Sequence, residues 1–378
     1  MLISEAESWL PVELREQADK LHVVVAMSGG VDSSVAALRV KRAGFKCSAL
    51  FMKNWNEPSD DGRCNWEDDV ADALGVCDHL DIPINTIDLS RTYWDQVFED
   101  FLAEYRQGRT PNPDVLCNRE IKFKAFLDAA RTIGGDLIAT GHYVSSDTVN
   151  GRRRLLKGTD RTKDQSYFLY TLGQVPLAAS LFPVGGLEKT EVRRLAREAG
   201  LATHEKKDST GICFIGEQRF REFLSRYLPS QPGQVITLEG DVIGNHHGAV
   251  YYTLGQRQGL GIGGVRGADE LPWFVAGKNL ESNELVVVQG HDHPALMRTA
   301  LIADELSWVA GNAHSMPFRC KAKTRYRQTE QACEIERIDD GRAEVRFDKP
   351  QRAVTPGQSV VFYDEDVCIG GGIIDATE

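Results

Sequence analysis

Residues 28–34 read Ser28-Gly29-Gly30-Val31-Asp32-Ser33-Ser34. The run before them, His22-Val23-Val24-Val25-Ala26-Met27, is apolar, β-branched and too short for a helix. The run after them, Val35-Ala36-Ala37-Leu38-Arg39-Val40, is small and apolar and propagates a helix well. The order is therefore strand, tight loop, helix start. Two glycines let the backbone approach a ligand closely, and the helix N-terminus turns free N–H groups and partial positive charge toward it. Ser28, Ser33 and Ser34 add hydroxyls to the same concavity. An anion of phosphate type suits such a nest. An ordinary strand-to-helix turn uses the same residue types. No Gly-Lys-Ser/Thr closes the loop, and the spacing is not that of a dinucleotide fingerprint.

Working outward, strands and helices alternate. Lys46 to Met52 reads as a second strand, Ile84 to Leu89 as a third and Asp136 to Gly141 as a fourth. Helices are expected over 66–80, 94–105, 123–133 and 190–199, with a short amphipathic one within residues 1–20. This pattern predicts an α/β fold, a doubly wound and mainly parallel sheet, whose ligands sit at the carboxyl ends of strands. The 28–34 loop, Met52 and Gly141-His142 all fall at that end. Beyond Phe223 the texture changes to short alternating stretches with tight turns, among them Val235 to Leu238 and Ala249 to Tyr252. From about Pro294 short strands recur at regular spacing, which predicts a small β-barrel. The expected division is a nucleotide-binding and catalytic domain over 1–218, a small β-rich domain over 219–293 and the barrel over 294–378.

The composition, 42% hydrophobic and 26% charged over 378 residues, is that of a globular chain of two or three domains. No run reaches membrane-span length and residues 1–20 lack a signal peptide's apolar core, so a cytoplasmic location is expected. The eight cysteines include no C-x-x-C pair, which suits a reducing compartment with a few functional thiols. A net charge of −11 argues against nucleic acid only weakly, because a local basic face suffices. Such faces are expected at Arg152-Arg153-Arg154 with Lys157, from Lys321 to Arg327, and near Arg119, Lys122 and Lys124. The acidic residues Asp60, Asp61, Glu67, Asp68 and Asp69 read as a solvated loop entering a helix N-terminus rather than as a metal site.

Two thiols carry chemical interest. Asp114 and Cys117 stand one helical turn apart in Thr110-Pro111-Asn112-Pro113-Asp114-Val115-Leu116-Cys117-Asn118. They offer an acid/base and a nucleophile, or else a helix cap and a small buried residue. Cys213 lies in Lys206-Lys207-Asp208-Ser209-Thr210-Gly211-Ile212-Cys213, where nearby lysines favour a thiolate; a buried structural cysteine is the alternative.

The string SGGVDSS resembles the signature of the PP-loop ATP pyrophosphatases, which implies cleavage of ATP at the α-phosphate and transfer of AMP to a substrate oxygen. With TPNPDVLCN and REIKF, ATGHY, KDQSYFL, KKDSTGICFIG and YTLGQRQGLGI in order along the chain, the whole resembles the bacterial tRNA 2-thiouridylases. The resemblance implies ATP held by Ala26, Met27, Ser28, Gly29, Gly30, Val31, Asp32 and Ser33, with Met52 and Gly141 framing the adenosine. It implies Asp114 as acid/base, Cys213 as the persulfide carrier and Cys117 as the thiol that helps release its sulfur. It also implies that Asn112, Pro113 and Asp114 hold a flipped-out wobble uridine. His142, Lys163, Asp164, Gln165, Arg325, Tyr326 and Gln358 would contact the tRNA. Mg2+ is expected with ATP, and a sulfur-carrier protein or cysteine desulfurase as sulfur donor. The alternatives are another PP-loop adenylating enzyme or a non-catalytic, ATP-sensing RNA-binding protein. An iron–sulfur thiolase would want clustered cysteines, and a ligase has no use for the two thiols.

Overall fold

The structure is a computed structural model of the chain and describes residues 9–56, 64, 66–207, 220–229, 231–262 and 271–378. Its first half holds strands β1 (His22–Ala26), β2 (Lys46–Lys53), β3 (Ile84–Asp88), β4 (Leu137–Ala139), β5 (Val144–Val149), β6 (Arg152–Lys157) and β7 (Ser180–Leu181). Five of these make a parallel sheet in the order β3-β2-β1-β4-β7. The central strand β1 is Val-rich because it is covered on both faces: Val23, Val24 and Val25 are wholly buried. The strand order reverses at β1, and the crevice between the ends of β1 and β4 is where such sheets bind ligands.

Helices pack on both faces. Val31–Arg42, Trp66–His79 and Lys189–Glu198 share one apolar core with the sheet. The helical runs over 90–106 and 113–132 share the other, and each contains a π-helical segment, Trp94–Phe98 and Cys117–Ala125. Within 9–20 the only described helix is the short Val12–Arg15, less than the amphipathic helix expected.

The second half adds a four-stranded sheet, β8 (Gly233–Ile236), β9 (Val242–His246), β10 (Trp273–Asn279) and β11 (Glu284–Gln289), in the order β10-β11-β8-β9. Ala249 to Tyr252, read as β structure, instead forms a 3-10 turn over Ala249–Tyr251, entered through Gly248 at φ +133°. A barrel follows: β12 (Met297–Trp308), β13 (Phe318–Lys323), β14 (Gln331–Asp339), β15 (Arg342–Arg352), β16 (Ser359–Asp364) and β17 (Val367–Thr377). It runs β12-β15-β14-β13-β16-β17 and closes by pairing β12 with β17. Its core contains Leu301, Ile335, Val345, Phe347, Val360, Phe362 and Ile374.

The sequence reading missed one connection. The β5–β6 hairpin leaves the parallel sheet and extends the barrel sheet, β6 pairing with β17 through Val367–Leu156 and Cys368–Leu155.

Candidate active site

The 28–34 loop is built from its own hydroxyls. Gly30 caps the Val31–Arg42 helix, and its carbonyl accepts from Ser33 Oγ at 3.0 Å and Ser34 Oγ at 2.8 Å. Ser33 Oγ also accepts the Ser28 N–H at 3.3 Å and meets Ser28 Oγ at 3.1 Å. Gly29 is required twice over: its φ is +73°, and a Cβ there would sit 2.2 Å from the Asp69 carbonyl oxygen. Ala26, Met27, Val31 and Ser33 are buried, so Ser28, Gly30 and Asp32 form the accessible part of the loop. Met52 is buried as well and packs in the core beneath the strand ends.

Asp32 does not stand alone. Its carboxylate accepts from Lys189 Nζ at 2.8 Å on both oxygens and from the Tyr143 hydroxyl at 2.7 Å. Neither Lys189 nor Tyr143 was singled out from the sequence, and nothing local ties Lys189 to a position 157 residues earlier.

Gly141 joins this loop to the thiol-bearing helix. A Cβ at Gly141 would lie 2.8 Å from the Asp32 carbonyl carbon and the Ser33 nitrogen, so only glycine lets β4 reach the phosphate loop. The next residue, His142, lies under the helical run: its ring is 5.5 Å from that of Phe123, and Nδ1 meets Thr140 Oγ1 at 2.9 Å. Burial, with the nearby Lys122 charge, holds the imidazole well below the usual histidine range. A neutral, buried His142 supports the helix rather than offering a tRNA an exposed ring.

The 113–132 run starts with Asn112 as N-cap, its Oδ1 accepting the Asp114 N–H at 3.2 Å, and Pro113 at the first position. Asp114 is thus not the cap. It sits half-buried in the first turn, with Cys117 three residues on along the same helix face. Cys117 is fully buried and opens the π-helical segment, a distortion common at functional sites. Asn118 is 3% exposed; its Nδ2 donates to the Phe168 carbonyl at 3.3 Å while Oδ1 has no partner among the described residues. Asn54, 1% exposed just beyond β2, leaves both amide atoms unpartnered among the described residues. Unmet polar groups of this kind cost about 1–3 kcal/mol each, and the sequence reading did not mark them.

The barrel holds the start of this helix. The Gln358 amide donates to the Thr110 carbonyl at 2.7 Å, and the Thr110 N–H donates to the Pro356 carbonyl at 2.9 Å. Arg109 bridges Glu104 at 2.7 Å and Asp375 at 2.9 Å; burial opposes its charge, but these partners raise its pKa. Gln358 therefore positions the Asn112–Asp114 turn.

The other expected tRNA contacts fall at the junction of sheet and barrel. Asp164 is buried, accepting from the Gly158 N–H at 3.1 Å and from Ser166 Oγ at 2.9 Å. Gln165 Oε1 accepts the Tyr143 N–H at 2.9 Å, and Lys163 is half-buried beside it. Tyr326 packs on Phe168 with ring centroids 4.3 Å apart. Arg325, expected to contact the tRNA, is engaged within the fold through one guanidinium nitrogen. Its Nη2 donates to the Leu254 carbonyl at 2.7 Å, the Ala353 carbonyl at 2.6 Å and Thr355 Oγ1 at 3.0 Å. Burial, with Arg352 nearby, lowers its pKa. The expected basic faces are likewise largely paired: Arg154 with Asp147, Lys157 with Glu330 at 2.5 Å, and Lys323 with Asp164 at 3.5 Å.

Cys213 lies outside the described residues. The segments that bracket 208–219 are anchored near the site. Lys206 pairs with Asp69 at 2.8 Å and with Asp72, beside Gly29, and these bonds outweigh burial to raise its pKa. Phe223, on the far side, packs against Trp55 and Phe98.

Three family models match this chain in succession: tRNA methyl transferase HUP domain over 21–217, tRNA methyl transferase PRC-barrel domain over 221–289 and aminomethyltransferase beta-barrel domain over 298–374. A protein of Marinomonas sp. (strain MWYL1) named tRNA-specific 2-thiouridylase MnmA is 60% identical over 353 residues, 93% of this chain and 90% of the relative. The chain belongs to the tRNA-specific 2-thiouridylase family. A second relative of that name, from Francisella tularensis subsp. holarctica (strain FTNF002-00 / FTA), is 58% identical over 93% of this chain and 98% of its own length. The parallel sheet, the four-stranded sheet and the closed barrel follow one another as do the three matched models of this thiouridylase family. No helix among the described residues is long and apolar enough to cross a membrane.

Proposed function

We propose that this chain is an ATP-dependent tRNA-uridine 2-sulfurtransferase that adenylates the C2 oxygen of the wobble uridine and replaces it with sulfur. One observation carries the reading. The phosphate loop and the helical run that carries Asp114 and Cys117 meet two adjacent residues, Gly141 against Asp32–Ser33 and His142 against Phe123. A nucleotide on the loop and a base held by Asn112–Asp114 then meet at the β1/β4 crevice.

In the first step uracil O2 attacks the α-phosphorus, the bond to the β-phosphate breaks, and pyrophosphate leaves. Asp114 accepts the proton that uracil N3 loses. The base must leave its stack, and the Pro-stiffened turn clamped by Gln358 suits holding it. In the second step the outer sulfur of a Cys213 persulfide attacks C2, and AMP departs. Cys117 then attacks Cys213 Sγ, freeing the thiolated base and leaving a Cys117–Cys213 disulfide that an external dithiol reduces. In a variant of this step Cys117 attacks first and releases hydrosulfide, which attacks C2. Both require the two Cα atoms within about 7 Å.

Mg2+ would come with the nucleotide, an ion that usually keeps several waters and is held largely by substrate phosphates. Bound there, it would neutralise phosphate charge. A sulfur-carrier protein or a desulfurase supplies the persulfide, the setting is cytoplasmic, and the working domain limits are 1–218, 219–293 and 294–378. Lys163, Asp164, Gln165, Tyr326 and Gln358 line the tRNA side, several of them through support rather than direct contact.

The test is mass analysis of tRNA nucleosides after incubation with ATP, Mg2+ and sulfide. 2-Thiouridine with one AMP and one pyrophosphate per base is the expected result. Thiolation without AMP would overturn the adenylation step.

A further inference from the structure

The barrel carries two cysteines that its register sets face to face. In β13 the residues Phe318, Cys320 and Ala322 pack toward the barrel core, as Cys333 and Ile335 do in β14. The strands run antiparallel with Cys320 directly opposite Cys333, and the two Sγ atoms lie 3.6 Å apart. Directly opposed residues in such a pair have Cα atoms about 4.5 or about 5.5 Å apart, within the roughly 4.4–6.8 Å that disulfides span. Side-chain rotation therefore brings the sulfurs to the bonded distance of about 2.05 Å while the strands stay in place.

The two thiols differ in access. Cys333 is fully buried, and its hydrogen bond to Cys320 together with burial pushes its thiol far above the usual cysteine range. Cys320 is half-buried, so it is the member that a small reagent in solvent can reach. The pair sits in the barrel core, whereas Cys117 belongs to a core of the parallel sheet. It also lies at a lever point. Cys320 and Cys333 stand 13 residues apart, and the turn between them carries Arg325, bonded to Leu254, Ala353 and Thr355, and Tyr326, packed on Phe168.

We infer that Cys320 and Cys333 are a redox pair separate from Cys117 and Cys213, oxidised by low-molecular-weight disulfides to a cross-strand disulfide that staples the β13–β14 hairpin. With glutathione disulfide as the oxidant, Cys320 sulfur attacks one of its sulfurs, the S–S bond breaks, and one glutathione leaves with the Cys320 proton. Cys333 sulfur, already beside it, then attacks Cys320 Sγ and expels the second glutathione, which takes the Cys333 proton. Two thiols are oxidised and one disulfide is reduced to two thiols. Closure is the slower step, because Cys333 gives up its proton reluctantly. The competing account is that both thiols only fill the barrel.

The full chain is equilibrated with glutathione and glutathione disulfide over a series of ratios, once native and once in concentrated urea. Samples are quenched with acid, alkylated with N-ethylmaleimide under denaturing conditions and digested, and linked peptides are mapped by mass. A Cys320–Cys333 cross-link is expected in the native wild type. Its half-formation is expected at a value of [GSH]²/[GSSG] at least about tenfold higher than in urea, because the fold holds the sulfurs together. Cys333→Ser is expected to stop with one glutathione on Cys320, and Cys320→Ser to leave native Cys333 unmodified. A native value no higher than that in urea, or native wild type that keeps glutathione on Cys320 with Cys333 free, would overturn the inference. The deciding comparison uses wild type, so a variant that fails to fold leaves the test intact.

Discussion

Substituting Gly141 by alanine tests whether the phosphate loop and the thiol-bearing helix are set by one contact. The added methyl would meet the Asp32 carbonyl carbon and the Ser33 nitrogen at 2.8 Å and Asp32 Cβ at 2.9 Å. All three belong to the first turn of the helix behind the loop, two of them are backbone, and none is the end of a flexible side chain. Ordinary contact begins at 3.4 Å, so the turn or β4 must retreat by 0.6 Å, the difference from 2.8 Å. Overpacking of this kind costs roughly 1–3 kcal/mol of stability. Catalytic geometry tolerates about 0.5 Å, and misplacement by about 1 Å costs on the order of 100-fold in rate. Pyrophosphate release at saturating tRNA should therefore fall roughly 10- to 100-fold, with tRNA affinity unchanged. The assay is pyrophosphate release alongside thermal denaturation. Gly173→Ala is the comparison, because a Cβ there meets nothing within 4 Å. A Gly141→Ala protein that melts early yet releases pyrophosphate at the wild-type rate would refute the reasoning.

Arg325→Ala should destabilise the barrel by roughly 1.5–3 kcal/mol, since three oxygens lose a charged donor, and leave the salt dependence of tRNA binding unchanged. Urea unfolding and a binding series in KCl check both; a flattened salt slope would restore Arg325 as a phosphate contact. Gln358→Leu should slow thiolation roughly tenfold, at about one lost hydrogen bond's worth of positioning, with ATP affinity intact. Weakened ATP binding in that variant would count against Gln358 as a positioning residue. For pH, His142 in the folded state binds its proton only well below 6.5, while the unfolded chain takes one near 6.5. The unfolded state thus binds more protons below that value. Its contribution to stability is complete above about pH 6.5 and declines as pH falls toward the folded value, by up to about 1.4 kcal/mol per unit. His142→Gln should lose that slope in denaturation curves taken from pH 7.5 to 5.

The parallel sheet was legible because its strands are short, largely apolar runs separated by helical periods, and β1 to β4 fall where Val23–Val25, Ala49–Met52, Ile84–Ile87 and Leu137–Ala139 stand. The barrel strands β13 to β17 were legible as short alternating runs, whereas β12 was not read as a strand. Part of what escaped has a polar pattern, although the apolar strands β10, β11 and β12 were not read either. β5 and β6 read Val-Ser-Ser-Asp-Thr-Val and Arg-Arg-Arg-Leu-Leu-Lys, so their arginines looked like a nucleic-acid face when Arg154 in fact pairs across the hairpin with Asp147. Tyr251 and Tyr252 have strand propensity, but the positive φ of Gly248 turns the chain into a 3-10 turn. At the site, the residues of local motifs were readable, Ser28 to Ser34 and Asn112 to Cys117 above all. Lys189 on Asp32, Arg109 on Asp375 and Gln358 on Thr110 join segments 157, 266 and 248 residues apart, which no local pattern announces.

The β6–β17 pairing also bears on how the chain is made. Leu156 finds its partner Val367 only 211 residues later, and β5 hangs on β6. At a synthesis rate of about 5–20 residues per second, that partner emerges roughly 10 to 40 s after β6 does. Throughout that interval one edge of an arginine-bearing hairpin waits without its neighbour while the parallel sheet beside it can already form. A ribosome stalled short of residue 367 would leave that edge open to strands of other chains. The eleven residues of β17, which pair with β6, β12 and β16 alike, are thus the piece that covers the waiting edge of β6.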